Sequence, residues 1–137
     1  MKRVFALIAV LAISLTLAAC NNPRIEIAQD NVTRIKISDP HNFMPRTYTS
    51  PESIAVITDH LTGLSLIDNF PENPDEYSGW GFNITIYFDD GTTQEFFHFG
   101  NQFLRKTQAN GSFKWYRLLY EQANQLENII QRTPSDE

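Results

Sequence analysis

The spacing of apolar side chains changes several times along this chain, and each change predicts a different element. Lys2 and Arg3 precede an uninterrupted uncharged run from Val4 to Ala19. That run falls short of the ~20 residues needed to span a bilayer, and a charged start followed by an apolar stretch is the pattern of an export leader set apart from the fold. Residues 20–31 are polar with one short alternation at Ile25 and Ile27, and are expected to form a tether that can end in an edge strand. Period-two alternation begins at Val32. Thr33, Ile35 and Ile37 on one side, with Val32, Arg34, Lys36 and Ser38 on the other, predict a strand with one dry and one wet face. A loop from Asp39 to Ser50 follows, containing Pro40 and Pro45.

The period then becomes helical, with clear ends. Ser50 can cap the free amides, Pro51 suits the first helical position where its missing N–H costs nothing, and Glu52 is favoured at the positive end of the helix dipole. Ile54, Ile57 and Leu61 share a face, and Gly63 is expected to stop the helix in the left-handed conformation with Leu64 packing back. Leu64, Leu66 and Ile67 can begin a short strand. From Asp68 to Gly81 runs an acidic loop with Pro71 and Pro74, longer than most connections in a small domain.

The strongest strand pattern comes next: Phe82, Ile84, Ile86 and Phe88 alternate with Asn83, Thr85 and Tyr87, and Asp89-Asp90-Gly91 turns the chain into Thr92–Phe99. Two registers are open. A two-residue Asp90-Gly91 loop puts Phe97 and Phe99 on the face of Ile84 with Glu95 opposite Ile86; a three-residue loop with Gly91 left-handed puts Phe96 there and His98 opposite Phe82. A second hairpin, Phe103–Gln108 with Ser112–Trp115, closes at Asn110-Gly111. Tyr116, Leu119, Ala123, Leu126 and Ile130 recur at helical spacing and predict a final amphipathic helix, after which Thr133–Glu137 is a polar tail.

Two apolar helix stripes and an antiparallel sheet bury each other when the helices pack on the sheet. The expected fold class is α+β: an antiparallel sheet of about four to six strands with two helices packed against it. The expected organisation is a leader over 1–19, a tether over 20–31, one globular domain over 32–132 and a tail over 133–137. The element order resembles that of small exported bacterial domains, a likeness that carries no site residues.

Charge narrows the function classes. The chain carries 16 acidic and 11 basic side chains, a net charge of −5; without Lys2 and Arg3 the balance is nine basic to 16 acidic, or −7. No Lys or Arg occurs between Thr47 and Leu104, where nine acidic residues do. A nucleic-acid binder needs clustered cations to displace condensed counterions, so that partner class is excluded. The lone cysteine is explained by its place. Leu17-Ala18-Ala19-Cys20 resembles the lipobox of bacterial lipoproteins, in which the cysteine receives lipid and becomes the new N-terminus. The resemblance covers residues 1–20 only. It implies cleavage before Cys20 and acyl chains such as palmitate on that residue, holding the domain at a cell membrane outside the cytoplasm, in the periplasm or at an outer membrane where the host has one.

Candidate chemistry is sparse. There is no Gly-x-Ser-x-Gly elbow, no His-Glu-x-x-His pair and no cofactor motif, and His41, His60 and His98 fall on three different elements. Asp59-His60 can suggest an oriented base, but adjacent helix residues do not face each other. The acidic loop offers oxygen ligands for calcium without EF-hand spacing. Fourteen aromatics lie between Phe70 and Tyr120, and a sheet with two helices is expected to use most of the phenylalanines as core. Trp80, between glycines, and nearby Tyr77 are candidate contacts for a partner or ligand. Arg105, Lys106, Lys114 and Arg117 cluster on the second hairpin and can form a basic patch for an acidic partner or protect an edge. The expectation is therefore a non-enzymatic, lipid-anchored module that binds an envelope protein or a cell-surface ligand through Trp80, Tyr77, Arg105, Lys106 and Lys114. The alternative is a small envelope hydrolase using His60 or His98 with a nearby carboxylate.

Overall fold

The alternating segments assemble into one seven-stranded antiparallel sheet in a computed structural model that describes residues 22–39, 45–100 and 102–136. Cys20, the leader expected before it and His41 lie outside the described residues. In chain order the elements are β1 (Val32–Ser38), β2 (Arg46–Tyr48), α1 (Pro51–Thr62), β3 (Leu66–Ile67), β4 (Gly81–Phe88), β5 (Thr93–Phe99), β6 (Phe103–Thr107), β7 (Phe113–Leu118) and α2 (Tyr120–Arg132). The strand order is β2-β1-β4-β5-β6-β7-β3, so the two hairpins form the middle and the shortest strands form the edges. The α+β class is as expected, but the sheet has seven strands instead of four to six.

The additional strand is β2, inside the segment expected as a loop. Three residues with prolines nearby carry too weak an alternation to register, and their pairing is non-local: Tyr48 lies opposite Ile35, and its hydroxyl donates to the carbonyl of Ile130 at 2.9 Å. Arg46 donates to the carbonyls of Ile130 and Gln131 at 3.0 and 3.3 Å. These side chains thus satisfy carbonyls that the last turn of α2 leaves without intrahelical partners. The tail joins the same edge, since the Asp136 amide donates to the Thr47 carbonyl and its carboxylate accepts from the amide and hydroxyl of Thr49.

Both helices cover one face. Ile54, Ile57 and Leu61 of α1 and Ala123, Leu126 and Ile130 of α2 meet Ile35, Ile37, Ile84, Ile86, Leu104 and Leu118 of the sheet. At roughly 1.5–3 kcal/mol per fully buried aliphatic side chain, this layer is the main stabilising contribution. Ser50 caps α1 as expected, accepting from the Ser53 amide at 3.2 Å. Gly63, expected left-handed, is not: its φ is −83°, and α1 ends through its amide donating to Asp59 and through Gln122, whose side chain donates to the Gly63 carbonyl and accepts from the Ser65 amide. A clamp from the partner helix does what a left-handed cap does elsewhere.

Three local expectations shift for similar reasons. Val32 packs against the core rather than on the wet face, because a bulge between Val32 and Arg34 breaks the alternation. The final helix begins at Tyr120, not Tyr116, because Tyr116 and Leu118 pair with Leu104 and Leu66 as strand. Ile25, in the stretch expected as a tether, is buried in the core with Ile27 packed beside it.

The hairpin register resolves to the three-residue loop. Gly91 has φ +83°, Ile84 faces Phe96 and Phe82 faces His98. The second hairpin repeats the device with Gly111 at φ +82°. In each, the residue before the glycine, Asp90 or Asn110, accepts from the amide and hydroxyl of the residue after it, Thr92 or Ser112, at 2.6–3.0 Å.

Candidate functional site

That register decides what stands on the sheet face away from the helices. With Phe96 and His98 turned inward, Phe97 and Phe99 point out, and alternation on β6 and β7 adds Phe103, Arg105, Phe113, Trp115 and Arg117. Phe97, Phe99 and Phe103 surround Trp115 with ring centroids 6.2–6.5 Å from it. The 68–80 loop folds over this cluster: Phe70 and Tyr77 reach Phe103 at 5.8 and 6.1 Å, the latter stacked. Space for the Phe97 ring comes from Gly81, where a Cβ would stand 2.2 Å from the His98 carbonyl oxygen and 2.7 Å from that ring. Five of the eight phenylalanines among the described residues are therefore not in the helix-side core: Phe82, Phe88 and Phe96 belong there, whereas Phe70, Phe97, Phe99, Phe103 and Phe113 lie on the outer face.

Arg105 sits at the centre of this face. Its guanidinium lies 4.1 Å from the Phe113 ring centroid, 5.1 Å from Phe97 and 5.6 Å from Trp115, within range of cation–π attraction. No carboxylate among the described residues pairs with it. Phe113 is 59% exposed and Tyr77 54%. Beside Phe113 a cavity of about 340 Å³ opens on the same face, lined by Asn83, Thr85, Glu95, Thr107, Arg105 and Phe113 among others. Rings for stacking, a guanidinium and small hydrogen-bonding side chains thus converge.

The acidic loop is strapped to the sheet by its own polar groups. Trp115 donates its indole N–H to Asp75 at 3.1 Å, Arg117 pairs with Glu72 at 3.2 Å and Lys114 with Asp68 at 3.7 Å. Asn73 accepts from the Asp75 amide and donates to Glu76, shaping the short 3₁₀ turn Pro74–Glu76. Among the described residues no group of three His, Cys, Asp or Glu side chains is placed to hold a metal ion.

The five candidate contacts are not one patch. Tyr77 and Arg105 belong to the outer face. Lys106 and Lys114 are cross-strand neighbours pointing to the helix side with Phe96 and Tyr116, so strand alternation divides the four cations of the hairpin, with Arg105 and Arg117 on one face and the two lysines on the other. Trp80, 42% exposed, stands apart, in a cavity of about 330 Å³ with Ile37, Arg46, Phe82 and Ile130 at the end of α2. Phe113, the most exposed ring of the outer face, was not among the candidates. Reading Asn110-Gly111 with the same three-residue loop as Asp90-Gly91 places it beside Arg105.

Neither histidine of the hydrolase alternative has a carboxylate partner among the described residues. The His60 Nε2 meets the backbone carbonyl of Gln122 at 3.1 Å, joining the two helices. His98 is buried, stacked on Phe82 at 4.8 Å, with Nε2 lacking a hydrogen-bond partner. Burial lowers its pKa to about 4, so it stays neutral. No known protein family, no curated protein and no solved structure matches the chain.

Proposed function

We propose that this protein is a lipid-anchored binding module of the bacterial envelope, and that its contact surface is the outer face of the sheet around Arg105, Phe113 and Tyr77. The observation that carries the binding reading is the Arg105 guanidinium, without a carboxylate partner among the described residues, held among three aromatic rings of which Phe113 is more than half exposed. Part of the ring cluster seats the 68–80 loop, but Phe113 and Arg105 lie outside that contact, and an exposed aromatic ring beside an arginine is what binding surfaces use. The lipid anchor rests on the Leu17-Ala18-Ala19-Cys20 sequence.

The anchor is tested by intact mass of the protein extracted from membranes, which is expected to carry acyl chains that a Cys20→Ser variant lacks. Contact is tested by placing a photo-crosslinking amino acid at position 113 and, separately, at 125 on α2 in the lipidated protein in cells. A discrete adduct from 113, absent from 125 and lost with Arg105→Ala, is the expected result. Equal products from both positions, or none from either, would overturn the outer face as the contact surface.

A further inference from the structure

The stretch that leads to the anchor is not a free tether, and the geometry points to a defined membrane-facing surface: the β3 edge of the sheet. This inference rests on the lipid anchor proposed above and adds to it how the body stands on the bilayer. Ile25 is buried in the core, and Asn22, Pro23 and Arg24 line a cleft with Thr62–Asn69, at the end of α1 and along β3. Cys20 is two residues from Asn22, a reach of about 7 Å at most. Acyl chains on Cys20 therefore enter the bilayer directly beside β3, where a flexible 12-residue tether would have allowed any orientation.

The side chains around that point suit a lipid surface. Ile67 on β3, and Leu119 and Tyr120 immediately after Leu118, the partner of Leu66, are all more than one-third exposed although apolar or aromatic. Three such side chains gathered where the anchor leaves the body can rest in the headgroup region, where a tyrosine ring is favoured. With β3 lowest, the strands rise from the bilayer in the order β7, β6, β5, β4, β1, β2, and at ~4.8 Å per strand the far edge stands roughly 29 Å above it. The outer face is then upright, its aromatic half near the membrane and Arg34 and Lys36 in the upper half.

The test uses the full lipidated protein in vesicles of phosphatidylethanolamine and phosphatidylglycerol containing a headgroup-attached quencher, with a fluorophore at Ser65→Cys beside β3 or at Lys36→Cys on β1. Intact mass first establishes the lipid. Quenching is expected to be several-fold stronger at 65 than at 36, and to become nearly equal when about 20 Gly/Ser residues are inserted between Cys20 and Asn22 together with Ile67→Ser and Leu119→Ser. Equal quenching at the two sites in lipidated protein without the insertion overturns the orientation and leaves the anchor standing; absence of lipid overturns the anchor and the orientation with it.

Discussion

The two faces of the sheet are made by the same strands and the same pleat, yet they are built from opposite materials. Toward the helices, cross-strand rows read Ile35–Ile86 and Ile37–Ile84–Phe96, closed over by Leu61 and Leu126 and almost dry. Away from them, neighbouring rows read Ser38–Asn83–Phe97–Arg105–Trp115, Lys36–Thr85–Glu95 and Thr107–Phe113, an arrangement of rings, charged side chains and small polar groups that the 68–80 loop partly covers. Branched aliphatics pack to high density without polar atoms to satisfy; flat rings on an open face leave edges and faces for a partner. In this molecule aromatic density marks the open side, and the aliphatic side supplies most of the stability.

The contrast can be broken most strongly from the inside. Leu104→Ala empties a fully buried position on the helix side. It is expected to cost about 2–5 kcal/mol in denaturant unfolding. The inner face also carries a pH sensitivity of its own. Because burial holds the His98 pKa near 4 while the unfolded chain titrates near 6.5, the unfolded state binds more protons between those values, and stability contributed above pH 6.5 is lost as pH falls toward 4. The full effect is about 3 kcal/mol. A His98→Phe variant, which keeps a ring against Phe82, is expected to lose this part of the acid dependence in parallel urea titrations at pH 7 and 4.5.

The straps between loop and outer face come next in size. Trp115→Phe keeps a ring in the cluster but removes the indole donor to Asp75. It is expected to destabilise by about 1 kcal/mol and to speed hydrogen exchange across the loop more than in β4. Smallest is Phe113→Ala. A ring this exposed is expected to change stability by no more than about 0.5 kcal/mol while sharply lowering the yield of a crosslink formed from a photo-crosslinking amino acid at its cross-strand partner, Thr107. A large stability loss there would move Phe113 into the structural layer and dissolve the contrast between the faces.

Much of this fold is legible in the order of residues. Ser50-Pro51, Asp90-Gly91 and Asn110-Gly111 announce a helix start and two hairpins through local chemistry, and both turns hold through side-chain oxygens two residues away. The candidate site is less legible. Tyr77 and Arg105 can be suspected as single residues, but their neighbours depend on which of two registers the first hairpin adopts, since one residue of slip exchanges Phe96 for Phe97. The acids of the loop look like free ligands in one dimension, whereas Asp68, Glu72 and Asp75 are engaged by Lys114, Arg117 and Trp115, roughly 40 residues further along.

What the amino-acid order alone determined is whatever acts within a few residues: the helix cap, the turns, the periods of two and 3.6 and, from them, the α+β class. What only the tertiary structure decided involves partners far apart in the chain. The pairing of β2 with β1 and α2, the clamp of Gln122 on the end of α1, the docking of Ile25 in the core and the gathering of rings around Arg105 all belong here. Such contacts bring no local preference with them; they become favourable only once the chain has closed on itself and the loop entropy has been met by burial.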